Sequence, residues 1–142
     1  MVRNLTINSV QKGIDKFFFH RLISVLKKEF GFEIESLLIN FVTSEDLLNI
    51  NKKFLHHYYF TDIITFDYSK NKQSLDSEMY ISLQDASINA KKYNASLEQE
   101  LMRLVIHGVL HLLGYDDKSK NKRVVMKRME NRLLNKYMFL IR

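Results

Sequence analysis

Residues 97–117 read LEQELMRLVIHGVLHLLGYDD, and two structures compete for them: a helix that simply ends in solvent, or one whose last turn carries a metal. Leu97, Leu101, Leu104, Val105 and Leu112 recur at helical spacing, so a helix over about 97–113 turns one face to a core. His107 and His111 are four residues apart, which stacks both imidazoles on one face, one turn above the other. Gly114 falls where helices end in a left-handed residue, so the chain can turn and bring Tyr115, Asp116 and Asp117 back toward the histidines. Two neutral imidazoles and one carboxylate suit Zn²⁺, and three protein ligands leave a fourth position for a water whose pKa the metal lowers to ~7. Histidine pairs four apart also occur in helices that bind nothing. The glycine and the two carboxylates that follow are what set this pair apart. In an HExxH zinc protease a glutamate follows the first histidine as general base; Gly108 occupies that place here, which argues against such a peptidase.

Outward from this helix, the chain alternates strand and helix patterns. RNLTIN (3–8) reads as a short strand, and Ile14, Phe17, Phe18, Leu22, Val25 and Leu26 fall at helical spacing before Gly31. SLLINFVTS (36–44) suits a buried strand. The Thr43, Ser44, Glu45, Asp46 cluster offers an N-cap for a helix to about Phe54. TDIITFDYS (61–69) and EMYISL (78–83) are β-branched and aromatic runs joined by the polar KNKQSLDS. Helical patterns then cover about 84–94, 97–113 and 119–139. The expected order is β, α, β, α, β, β, α, α, α, an α+β fold with a four-stranded mixed sheet, about five helices and the metal site at the end of a core helix. Without prolines, repeats or low-complexity segments, residues 1–142 are expected to form one domain.

Composition limits the chemistry. There is no cysteine, so thiolate metal sites and a disulfide-linked partner are excluded, and any metal must use His, Asp or Glu. No apolar run nears the ~20 residues a bilayer span needs, and the N-terminus resembles no signal peptide, so a soluble, cytoplasmic protein without a membrane partner is expected. The net charge of +6 is unevenly spread: residues 118–142 carry nine Lys or Arg against Glu130 alone, while the first 117 hold 13 basic and 15 acidic side chains. A basic element on a near-neutral body suits a polyanion such as nucleic acid, although a solvated helix face explains it as well. Met126, Met129, Leu133 and Tyr137 form a stripe by which that helix docks. His20, alone among Phe17, Phe18, Phe19 and Leu22, reads as structural.

HGVLHLLGYDD (107–117) resembles the signature H-G-x-L-H-L-x-G-Y-D-H of the YbeY family, single-strand-specific metallo-endoribonucleases of bacterial ribosome maturation. NKKF (51–54) followed by TDIITF (61–66) resembles the family's N-x-x-[FY]-R and P-T-D-V-L-S-F block, and EMYISL its G-D-I-x-I-S strand. The resemblance implies one Zn²⁺ per chain held by His107, His111 and, where the family has a third histidine, Asp117 rather than Asp116. A carboxylate in place of an imidazole lowers the site's net charge and makes a bound water a weaker acid. The family arginine aligns with Leu55 and its proline with Phe60. Because a phosphodiester transition state gains negative charge, loss of that arginine needs a substitute. Arg103, one turn before His107, is the candidate by geometry, with a plain surface residue as the alternative, and Lys52, Lys53, His56 and His57 are nearby; Asp62 either orients a water or merely caps a turn. His56, His57, Tyr58, Tyr59 and Phe60 could stack on unpaired bases or pack a loop onto the sheet.

The resemblance implies cleavage of single-stranded RNA in maturation of the 3′ end of small-subunit rRNA and in ribosome quality control, with the ribosome as partner. The rival expectations are a metal-stabilised ribosome- or RNA-binding assembly factor without nuclease activity, and a hydrolase of another substrate such as a peptide.

Overall fold

A computed structural model describes residues 1–56 and 61–141. The elements run β1 (Leu5–Ser9), α1 (Lys16–Phe30), β2 (Glu33–Val42), α2 (Ser44–Ile50), β3 (Ile63–Asp67), β4 (Ser74–Ser82), α3 (Leu83–Lys92), α4 (Leu97–Leu112) and α5 (Lys120–Tyr137). A π-helical turn, Asn51–Leu55, extends α2, and a 3₁₀ turn, Met138–Leu140, follows α5. The order is the one the sequence patterns predict, and the fold is α+β with a four-stranded mixed sheet.

Strands lie in the order β1-β2-β4-β3. β2 runs parallel to both β1 and β4, with Ile39 opposite Ile7 and Met79, whereas β3 is antiparallel to β4. Leu5, Ile7, Leu37, Ile39, Phe41, Met79 and Ile81 are buried and share a cluster with Phe19, Leu22 and Leu26 of α1 and Leu101, Val105 and Val109 of α4. Period-2 patterns on the strands and period-3.6 patterns on the helices therefore meet in one core. The rings of Phe19 and Phe41 lie 4.8 Å apart, which ties α1 to β2.

Local chemistry sets the boundaries. Asp15 caps α1 by accepting from the Phe18 N–H, and Gly31 ends it at φ 71°. Thr43 and Asp46 form a capping box on α2, and Ser96 and Gln99 another on α4. The expected helix to Phe54 is α-helical only to Ile50; it loosens into the π turn, which His56 closes at φ 55°. The polar stretch 70–77, expected as a connection, already contains the start of β4. Ser74 pairs with Glu33, and Leu75 is fully buried, while the alternate residues 74 and 76 are only half-buried. The two-period is present there, hidden by hydrophilic residues on the wetter face.

His20 is 7% exposed and its Nδ1 accepts from the Val2 N–H at 3.3 Å, the structural place expected of it. Met126, Leu133 and Tyr137 are buried and Met129 packs half-buried against the core, so α5 docks by the predicted stripe. Among the described residues, no helix is long and apolar enough to cross a membrane.

Candidate metal centre

α4 approaches the sheet closely because Gly108 has no side chain. A Cβ there would lie 2.9 Å from Met79 Sδ and 3.2 Å from Ile63 Cδ1. With Gly108 against the sheet, His107 on the next position is half-buried, and His111 stands exposed in the last turn. Gly114 adopts φ 108°, and the Tyr115 N–H donates to the Leu110 carbonyl at 3.0 Å, so the chain turns immediately after the helix as expected.

His107 is gripped from α5. Its Nδ1 lies 2.8 Å from Glu130 Oε2, and Glu130 is only 7% exposed. The contact with Glu130 raises the His107 pKa, aided by the charges of Glu130 and Asp117 and opposed by burial and by Arg103. In the tautomer whose Nδ1–H donates to Glu130, Nε2 is left as the ring nitrogen able to bind a metal.

Arg103, one turn earlier, is committed to carboxylates. Its Nε and one terminal nitrogen donate to Glu100 at 2.8 and 2.6 Å, and the other terminal nitrogen donates to Glu130 at 3.4 Å. Its pKa is accordingly raised, chiefly by the hydrogen bonds to Glu100. Glu100 in turn accepts from Asn89 of α3, which also donates to Asp62 Oδ2 at 3.3 Å. A continuous polar chain thus runs Asp62, Asn89, Glu100, Arg103, Glu130, His107, and Asp62 sits just before β3. Each buried carboxylate in it is paired, as burial demands.

The turn beyond Gly114 distinguishes the two aspartates. Asp116 accepts from the Lys118 N–H and pairs with Lys122 at 3.3 Å, which lowers its pKa, the Lys118 bond being the larger cause. Asp117 is exposed; its carbonyl accepts from Arg123, and its carboxylate contributes to the field at His107. Among the described residues, no three His, Asp or Glu side chains converge as a ready metal cluster. The donor set nonetheless suits zinc in kind: two imidazoles, one of them oriented by a carboxylate, and one carboxylate that has no salt bridge among the described residues.

Lys52, Lys53 and His56 are exposed on and just after the π turn, with Lys53 Nζ 5.3 Å from the Phe54 ring centre, and Leu55 is 37% exposed. His57, Tyr58, Tyr59 and Phe60 lie outside the described residues.

A family model described as Endoribonuclease YbeY matches residues 4–138. The chain belongs to the YbeY family. Among YbeY relatives, a protein named Endoribonuclease YbeY from Chlorobium limicola is 39% identical over 131 residues, 92% of this chain and 90% of that one. The protein of the same name from Bacteroides fragilis is 42% identical over 94 residues, 66% of this chain and 67% of its own. The solution structure of TM1509 from Thermotoga maritima aligns with a TM-score of 0.62 at 25% identity, covering 94% of this chain and 91% of the other.

Glu130, Glu100 and Asn89 are the site residues that motif reading missed. Glu130 left a signal: it is the lone acid in a basic segment and falls in the stripe Met126, Glu130, Leu133, Tyr137, so it points inward where a charge needs a partner.

Proposed function

We propose that this protein is a zinc-dependent endoribonuclease that cuts single-stranded RNA in maturation of the 3′ end of small-subunit rRNA and in ribosome quality control, with the ribosome as its partner. The observation that carries the reading is the Glu130 contact to His107 Nδ1, the outer-shell bond typical of a metal-binding histidine, within the family's own motif. His107, His111 and Asp117 would hold the metal; when bound, zinc supplies Lewis-acid polarisation of a phosphate oxygen and acidifies a water. Glu130 fixes the tautomer and aim of His107. Arg103 pairs with Glu100 and Glu130 and offsets one of their two charges, which lessens their repulsion of a phosphodiester. Asp62, tied through Asn89 to the same chain of charges, is the residue proposed to hold a water or a ribose hydroxyl. Lys52, Lys53, His56 and His57 are the basic side chains proposed to hold the strand.

A second reading, a metal-stabilised assembly factor that binds RNA or the ribosome without cutting, is favoured by one observation. Leu55 replaces the family arginine, and Arg103, its nearest substitute, already spends its donors on two carboxylates. The deciding experiment is cleavage of an unstructured RNA by purified protein before chelation, after it and after zinc restoration, with His111→Ala as control for contaminating nuclease. Cleavage that follows zinc and disappears in His111→Ala supports the enzyme. RNA that stays intact while bound by zinc-loaded protein supports the assembly factor.

A further inference from the structure

Beside the His107–Glu130 contact, α4, α5 and the turn after α3 border an open cavity of about 350 Å³, lined among others by Tyr93, Gln99, Arg103, Lys127, Glu130 and Asn131. We propose that this cavity is a subsite for one unpaired nucleotide of an RNA strand, flanking the phosphate at His107. The inference rests on the endoribonuclease reading and deepens it, by placing a specific binding pocket on the α5 side of the helix rather than on the π turn.

Four features point to a nucleotide. The volume lies in the range of small-ligand sites, ~300–1,000 Å³. Arg103 pairs with both carboxylates of the lining, Glu100 and Glu130, and offsets one of their two charges; Lys127, which pairs with neither, brings the lining to a net charge of zero. Among the described residues Lys127 and Asn131 are exposed and make no ion pair or hydrogen bond, which leaves a cation for a phosphate and an amide that both donates and accepts, as a base edge requires. At the rim, Tyr93 is 65% exposed, an apolar ring on which a base can stack, and Lys92 Nζ stands 5.5 Å from its centre, adding a second cation.

Connectivity supplies the position. Glu130 forms part of the cavity wall with one side and holds His107 with the other, so a nucleotide seated here lies one side chain from the imidazole. A base stacked on Tyr93 cannot at the same time be paired and stacked in a duplex. The pocket would therefore act as a filter for single strands by geometry.

The test measures binding of a labelled unstructured RNA to the zinc-loaded full chain over a salt series, alongside its cleavage. Tyr93→Ala is expected to weaken binding about tenfold, in line with ~1–3 kcal/mol for stacking one base, and Tyr93→Phe to restore it. Lys127→Gln is expected to reduce the slope of log affinity against log salt by ~0.7, one single-strand phosphate. Arg128→Gln removes the same charge from α5 outside the cavity lining and is expected to leave the slope unchanged. Asn131→Leu is expected to alter the preference among oligo-A, -C and -U strands. Wild-type protein that binds and cuts RNA while Tyr93→Ala and Lys127→Gln match it would overturn the subsite alone; wild-type protein that neither binds nor cuts would overturn the endoribonuclease reading and the subsite with it.

Discussion

The two histidines of α4 sit one turn apart under opposite constraints. His107 belongs to a seam in which Arg103, Glu130, Glu100, Asn89 and Asp62 hold one another across α3, α4, α5 and the start of β3. His111 and Asp117 stand exposed at the helix end and in the turn behind Gly114. One half of the proposed zinc site is thus fixed before any ion arrives, and the other half is free to close on it. A ligand set divided in this way keeps its cost in folding stability on one side and its adaptability on the other.

The most damaging substitution should be Gly108→Leu, because the new side chain must enter a core already filled by Met79 and Ile63; overpacking on this scale costs about 3 kcal/mol, read as a fall in the urea midpoint. Glu130→Ala should follow at about 2 kcal/mol, since it strips the shared partner from Arg103 and His107, and it should also weaken zinc binding about tenfold or more through the lost outer-shell bond, measurable by competition with a chromophoric chelator. Stability barely altered by this change would mean that the seam is not preorganised.

A smaller effect is expected where α5 meets α1. Glu29 accepts from Lys136 at 2.7 Å and from Tyr137 at 2.6 Å, and these bonds, the Lys136 bond first, lower its pKa from the usual 4.5. A group depressed on folding stabilises above its unfolded pKa and loses that contribution as pH falls through its folded one. Glu29→Gln should therefore lower Tm at neutral pH, and the two melting curves should converge in acid below pH 4.5. A gap that persists unchanged at the acid end would show that the bond, not the charge, is what matters.

Least of all for stability, His111→Ala should stay within about 0.5 kcal/mol of wild type while zinc occupancy collapses. Asp117→Ala should lower occupancy far more than Asp116→Ala, whose carboxylate is already bound to Lys118 and Lys122; equal losses by metal analysis would remove Asp117 as third ligand.

Much of this was legible in the residues, and the illegible part has a physical reason. Element order follows from period-2 and period-3.6 apolar spacing, which Leu37, Ile39 and Phe41 or Leu101, Leu104 and Val105 display plainly. The early start of β4 was masked because Ser74, Asp76 and Ser77 satisfy a strand's alternation with polar atoms, and composition registers them as a loop. The π turn at Asn51–Leu55 has no periodic mark at all. At the site, a motif names side chains near in sequence, so it offers His107, His111 and Asp117 together as candidates; Glu130 and Asn89 come from other helices, and only tertiary packing brings them in. Arg103 was identified as a nearby cation, but its engagement with Glu100 and Glu130 depends on how α5 docks.

Parallel pairing in the sheet has a consequence for how the chain assembles. Asn8 reaches Asn40 across 32 residues, and Asn40 reaches Met79 across 39, so β2 cannot be flanked on both sides until two long loops have closed. Loop closure of this kind slows collapse to the native topology relative to helical bundles. The β3–β4 hairpin, with Asp67 and Ser77 as neighbours, needs only a short excursion and can form early. Refolding followed by pulsed hydrogen exchange should then protect the hairpin amides ahead of those of β1, making the N-terminal edge strand the last piece of the sheet to be captured.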